Sequence, residues 1–255
     1  MLSVCVIACD EERDLPGLLE SLAPLRTSLG KDFECVLLDS GSSDGTVALA
    51  ERWGARTSRR PFDDFASQKQ ACLELCSGDW VLSLDCDERL SPELARDVLA
   101  VLSDPAAAAG YELPFEVEFL GKVLRWGGLG GETHLRLFRR AQGRFGGEHV
   151  HEGVRVDGPV GRLPHPVRHR PYADLAEYMD KFEVYTERAA RARLAAGRRP
   201  SWTDGLRPPW ELFSRLVLKL GVLDGGPGIE WARLSAMHTR RKYERLAELA
   251  RGERR

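Results

Sequence analysis

Three strand-like stretches each stop on an acidic residue, and that repeated ending constrains the chain more than any other feature. Leu2 to Cys9 runs into Asp10-Glu11-Glu12, Glu34 to Leu38 into Asp39-Ser40-Gly41-Ser42, and Trp80 to Leu84 into Asp85-Cys86-Asp87-Glu88. Leu2 to Cys9 is continuously apolar and rich in Val and Ile, which suits a strand covered on both faces. Helix signals lie between. Asp14-Leu15-Pro16 opens one helix, and Asp44 can cap another over Gly45 to Trp53, closed by Gly54. A short strand near Ala55 to Thr57 precedes a helix from Asp64 to Cys76, stopped by Gly78, and Ser91-Pro92 starts the next. Strands alternating with helices imply right-handed crossovers and a mostly parallel sheet.

After Pro105 the pattern changes. Tyr111 to Phe119 and His134 to Arg139 read as strands joined by the loop Gly127-Gly128-Leu129-Gly130-Gly131, and Val150 to Val156 is also strand-like. From Leu175 the chain is helical and Arg-rich, broken by Gly197, Pro200, Pro208-Pro209 and Gly225-Gly226-Pro227-Gly228. The economical division is an α/β domain over 1–172 and a helical, basic extension over 173–255.

With 43% hydrophobic residues the 255-residue chain can bury a core and is no disordered polymer. It lacks an apolar run long enough to span a bilayer, and its first ten residues read as a buried strand, not a signal peptide. The six cysteines, at no zinc-ligand spacing, are expected to be buried reduced thiols in a cytoplasmic protein. The formal charge of −2 conceals a split. Residues 1–100 hold 10 basic and 19 acidic groups, and Arg188 to Arg255 holds 16 basic and 7 acidic ones.

In an open parallel sheet, ligands bind beyond the carboxyl ends of the strands. One acidic turn there is an ordinary helix cap, but three at one edge suggest a site. Such a site is too acidic to hold a phosphate unaided and calls for a divalent cation, Mg²⁺ or Mn²⁺. Alternation along an extended segment would point Asp85 and Asp87 the same way, so that one reaches a ribose or cation while the other binds metal. The cation would then stabilise charge on a departing nucleoside diphosphate.

These segments, Val6-Ile7-Ala8-Cys9-Asp10-Glu11-Glu12, Leu37-Leu38-Asp39-Ser40-Gly41-Ser42-Ser43-Asp44-Gly45-Thr46 and Gly78-Asp79-Trp80 to Glu88, resemble the inverting glycosyltransferases of family two, which have the GT-A fold. Phe119-Leu120-Gly121, Leu135 to Arg140, Val150-His151-Glu152 and Leu223 to Gly228 resemble its bacterial lipopolysaccharide inner-core glucosyltransferase branch. Cys86 stands where the family usually has Ala, Glu132 where the branch has Asp, and His134 where it has Gln.

The resemblance implies roles. Ala8 to Glu11 would line the base and ribose pocket of a UDP-sugar, Asp39 would bond uracil or ribose beside Ser40, and Lys69, next to Gln68, would meet phosphate. Asp85 would contact ribose and metal, and Asp87 would be the main metal ligand. Inversion by direct displacement needs a carboxylate to take the acceptor proton. Glu132 qualifies, Glu152 is the rival, and His151 could complete the metal or diphosphate shell. The histidine pairs His149-x-His151 and His165-x3-His169 complete no zinc set. His169-Arg170 could instead neutralise phosphate. Alternation cannot bring Arg136, Arg139 and Arg140 all into the site.

In the extension, Trp202, Trp210, Phe213, Leu216, Val217 and Leu220 interleave with Arg207, Arg215 and Lys219. Trp231, Leu234 and Met237 do so with Arg233, Arg240, Arg241 and Lys242. This mixture suits an anionic membrane surface, placing the chain on the inner face of the cytoplasmic membrane. No nucleic-acid-binding module accompanies the charge. The expected function is metal-dependent transfer of a sugar to a lipopolysaccharide-core or similar envelope glycolipid or oligosaccharide. The alternatives are transfer to a polyprenyl phosphate and a non-catalytic sugar-nucleotide-binding scaffold.

Overall fold

The computed structural model describes residues 1–146, 153–172 and 174–252. The chain divides into two units, one of residues 1–115 and 131–169, the other of 116–130 and 170–255.

The first unit is built on a sheet. Its parallel strands are β1 (Leu2–Ala8), β2 (Phe33–Asp39), β3 (Arg56–Arg59) and β4 (Trp80–Leu84), followed by β5 (Glu88–Leu90) and β6 (Gly110–Phe119), whose first half lies in this unit. The order across the sheet is β3-β2-β1-β4. It continues with β8 (Thr133–Arg139), antiparallel to β4 with Leu82 opposite Leu137, then β6, β12 (Val167–His169) and β5. A short β11 (Val160–Arg162) pairs with β6, and β9 (Gly143–Gly146) pairs with β10 (Gly153–Val156) as a separate ribbon. Of the stretch 150–156, residues 150–152 lie outside the described residues.

β1 is buried on both faces, as its unbroken apolar run requires. Leu2, Val4, Val6 and Ala8 face the cluster formed with α1 (Leu15–Ser21), α2 (Ala23–Leu29), α3 (Thr46–Trp53) and α5 (Pro92–Ser103). Cys5 faces the opposite cluster with Cys72 and Leu73 of α4 (Phe65–Leu75). Each fully buried Leu or Val contributes about 1.5–3 kcal/mol, so these two layers hold the sheet. Five cysteines are buried thiols, but Cys9 is exposed, because it follows the last strand residue and enters the loop.

Several helix starts differ from expectation. Asp14 stands at the N-cap of α1, but its side chain makes no cap bond and lies 3.7 Å from Arg89 Nη2. Asp44 precedes the N-cap Gly45, and its Oδ1 accepts from Thr46 N at 3.0 Å. Asp64 and Ser91 cap α4 and α5 through Ser67 N and Leu94 N.

The second unit holds β7 (Lys122–Leu124), paired with the end of β6, and the helices α6 (Leu175–Ala195), α7 (Arg207–Phe213) and α8 (Gly225–Gly252). Pro208-Pro209 does not break a helix but occupies the first turn of α7, where missing N–H groups cost nothing. Gly225 to Gly228 likewise open α8. Phe119, Leu124, Tyr178, Phe182 and Leu234 form this unit's core, with Trp231 and Met237 packed on it. The second aromatic and aliphatic group of the extension is therefore packing, not free surface. Arg241 pairs with Glu183 at 3.0 Å and Arg245 with Glu187, so α6 neutralises part of the positive charge of α8. Among the described residues no helix is long and apolar enough to cross a membrane.

Candidate active site

The loops after β1 and β2 are laced together by their own polar groups. Asp10, at a left-handed φ of 57°, accepts from Ser43 N at 2.7 Å through Oδ1. Glu11 N donates to Thr46 Oγ1 at 2.7 Å, and Gly45 N donates to Glu12 Oε2 at 3.0 Å. Ser40 N donates to the carbonyl of Ala8 at 2.8 Å. Asp39 is buried, and its carboxylate accepts from Gly41 N, Ser42 N and Ser42 Oγ. The first two acidic turns thus spend much of their acceptor capacity on loop structure.

The third turn is different. Glu88 N donates to Asp85 O at 3.0 Å and Asp85 N donates to Glu88 Oε2 at 2.9 Å, closing a tight turn. The alternation argument for Asp85 and Asp87 fails here, because residues 86 and 87 form a turn instead of extended chain. The two acids take different partners. Lys69 Nζ lies 2.7 Å from Asp85 Oδ1, and Arg136 Nη2 lies 3.1 Å from Asp85 Oδ2 and 2.6 Å from Glu88 Oε1. Asp87 Oδ2 lies 3.1 Å from His169 Nε2. Cys86 between them is buried, its thiol 3.6 Å from the Ile7 carbonyl oxygen.

Strand pairing explains the assembly. β8 runs antiparallel to β4, so its early residues meet the carboxyl end of β4, and β12 sets His169 opposite Glu88. Phe115 forms a common wall. Arg136 stacks over its ring at 5.3 Å, and the rings of His134 and His169 approach edgewise at 4.7 and 6.4 Å.

The electrostatics follow from these contacts. Burial pushes the Asp85 carboxyl up, but the Lys69 ammonium and Arg136 guanidinium outweigh it and hold it below the ordinary carboxylate range. Burial pushes the Glu88 carboxyl up to about 7, despite the neighbouring Arg136. Burial works against charge on His169, yet Asp87 holds its pKa above the usual histidine value. Burial and then Arg136 lower that of His134. The third turn therefore carries cations among its acids and is far less negative than its sequence.

The comparisons with known proteins agree with this architecture. The model of the family described as "Glycosyl transferase family 2" matches residues 3–152. The lipopolysaccharide core biosynthesis glycosyltransferase LpsC of Rhizobium meliloti (strain 1021) is 31% identical over 229 residues, spanning 87% of this chain and 82% of that protein. The chain belongs to glycosyl transferase family 2. It is a glycosyltransferase with the GT-A fold. S. aureus TarS residues 1–349, solved in complex with UDP, superposes with a TM-score of 0.51 at 13% identity, covering 96% of this chain and 88% of that one. The undecaprenyl-phosphate 4-deoxy-4-formamido-L-arabinose transferase of Pseudomonas paraeruginosa (strain DSM 24068 / PA7) is 36% identical over 100 residues, 36% of this chain and 30% of that protein.

Within this glycosyltransferase, Ala8 and Asp39 end β1 and β2, Glu11 and Ser40 lie on the laced loops that follow, and Lys69 of α4 reaches the third turn that carries Asp85 and Asp87. Glu132 directly precedes β8, exposed, its Oε2 4.0 Å from His134 Nε2. Glu152 and His151, together with His149, lie outside the described residues. Arg139 stacks on Trp80 at 4.6 Å and Arg140 Nε donates to the Gly78 carbonyl, so only Arg136 of the three arginines joins the cluster. The pairings of Glu88 with Arg136 and of Asp87 with His169 escaped the sequence reading, since β5 and β12 are three residues each and carry no periodic signal. Gln68, fully buried, bonds Ser40 Oγ at 3.0 Å, the Arg60 carbonyl at 3.2 Å and Arg60 Nη1 at 2.9 Å, fastening the loops after β2 and β3. Among the described residues no three His, Cys, Asp or Glu side chains form a ready cation cage.

Proposed function

We propose that this glycosyltransferase moves a sugar, with inversion, from a UDP-linked donor to a lipopolysaccharide-core or similar envelope glycolipid, with a divalent cation at the donor diphosphate. The observation that carries the reading is the ionic cluster at the carboxyl end of β4, where Asp85 meets Lys69 and Arg136 beside the Asp87–His169 pair. LpsC, similar over most of the chain, supports the acceptor class, and the UDP complex of TarS the nucleotide.

The cluster suits Mg²⁺ or Mn²⁺ that arrives with phosphate. Such ions take one or two protein ligands and fill the rest with water and substrate oxygens. Asp87 and His169 offer one carboxylate and one imidazole nitrogen, both partly exposed. When bound, the cation would neutralise charge on the leaving diphosphate. Lys69 and Arg136 are cations that can exchange Asp85 for phosphate oxygens, and Arg136 has a buried Nε without a hydrogen-bond partner among the described residues. Glu132 is the proposed base, exposed and on the same edge as Asp85 by the register of β8 against β4.

The apolar surface of the second unit supports docking on the inner face of the cytoplasmic membrane. Trp202, Leu206, Trp210, Phe213, Leu218 and Leu223 are 46–86% exposed within 22 residues.

Titration calorimetry with UDP-sugars, with and without Mn²⁺, tests the donor and metal together. Mn²⁺-dependent binding of a UDP-sugar that Asp87→Asn abolishes is expected. Binding only of ATP or NAD would overturn the reading.

A further inference from the structure

The second unit contains a cavity to which the reading above assigns no ligand. It has a volume of about 270 Å³ and is walled by Tyr172, Tyr178 and Trp231, with His238 and Lys242 of α8 on one side. At about 30 Å³ per water it holds roughly nine waters, the scale of one sugar ring and not of an oligosaccharide. A neighbouring cavity of about 230 Å³ shares Tyr172, Tyr178 and His238. Tyr172 and Tyr178, packed edge to face at 4.9 Å, and Trp231 give it aromatic walls, and Ser235 and Thr239 add hydroxyls.

The lining holds one acid, Glu211, paired with Arg215 of the same lining at 2.7 Å, which leaves Lys242 as its uncompensated charge. Lys242, Arg193 and Arg207 all stack on the Tyr243 ring, at 5.3, 5.9 and 5.1 Å. Neither Lys242 nor Arg193 has a carboxylate partner among the described residues. The nearby acids are committed. Asp204 pairs with Arg198 at 2.6 Å as well as with Arg207, and Glu211 pairs with Arg215 at 2.7 Å. Burial, then Arg193, lower the pKa of Lys242 against the opposing pull of Glu211. Burial, then Lys242 and Arg193, likewise lower the pKa of His238.

We infer that this cavity binds an anionic saccharide, a pyranose ring bearing a carboxylate or a phosphate, with Tyr172, Tyr178 and Trp231 against the ring and Lys242 on the anion. Its role as the dock for an anionic part of the acceptor rests on the reaction proposed above. The binding itself does not.

Calorimetry on the full chain with glucuronate, glucose 6-phosphate, glucose and inorganic phosphate tests it. At least one of the two anionic sugars should bind ten-fold or more tightly than glucose or phosphate, and which of them binds identifies the anion. Lys242→Met should weaken that binding about ten-fold, Lys242→Arg should restore most of it, and UDP binding should be unchanged in both. Phosphate binding as tightly as the sugars would mark a bare anion patch, equal binding of glucose would remove the charge requirement, and no binding of any probe would remove the site. Each outcome overturns the inference. Loss of UDP binding with glucuronate binding intact would instead sink the proposed donor and spare this site.

Discussion

His169 Nε2 lies 3.1 Å from Asp87 Oδ2, although 82 residues separate them in the chain. The contact exists because β12 returns antiparallel beside β5, directly after the acidic turn. If the pair holds the donor's cation, His169→Asn should reduce Mn²⁺-dependent UDP-sugar affinity by roughly 10–100-fold while leaving the small metal-free affinity in place. Calorimetry with and without EDTA reads this directly.

Glu132 is exposed and directly precedes β8. Glu132→Gln should lower transfer by about 10²–10⁴-fold while donor binding persists. Retained transfer in a UDP-release assay would move the base elsewhere.

Glu88 makes a pH prediction with a definite sign. Its carboxyl is raised to about 7 in the folded chain, so between its ordinary value and about 7 the unfolded chain ionises first. Stability from this group is full below that window and falls as pH rises through it. His169, also raised, acts in the same direction at its upper end. Denaturant titrations from pH 4.5 to 7.5 should show a shallower loss of stability in Glu88→Gln than in the unaltered chain.

Gln68→Leu should cost about 1–3 kcal/mol, since it strands Ser40 Oγ and the Arg60 carbonyl where Gln68 now bonds both. A shortened UDP residence time should accompany the lowered midpoint, because the β2 loop loses its fastening. An unchanged midpoint would show that water replaces the amide.

Vesicles containing phosphatidylglycerol should sediment the chain at low salt. Trp210→Ser combined with Leu218→Ser should reduce that binding several-fold, as both side chains are more than half exposed. Sedimentation insensitive to salt and to both changes would return the surface to ordinary exposed packing.

Much of the first unit was legible because continuous apolar runs leave no alternative to a doubly covered strand. β4 has the limits its sequence announces, Trp80 to Leu84. What sequence patterns missed is pairing by very short strands. Three residues cannot express a period, so Val167 to His169 and Glu88 to Leu90 gave no sign of meeting. Counting charge along the chain also misled, since Asp10, Asp39 and Glu12 bind backbone N–H groups of their neighbours and the third turn gathers cations from α4 and β8. In the second unit Leu234 looked like part of an interfacial face and is 3% exposed, because helix periodicity alone does not say which side a partner helix covers.

The turn from Asp85 to Glu88 is bonded at both of its ends to itself and to Arg136. Its shape is therefore settled before any ligand approaches. Binding there should require no loss of chain entropy to organise the turn, only a change of ionic partners, so its heat should vary strongly with salt while its heat-capacity change stays small.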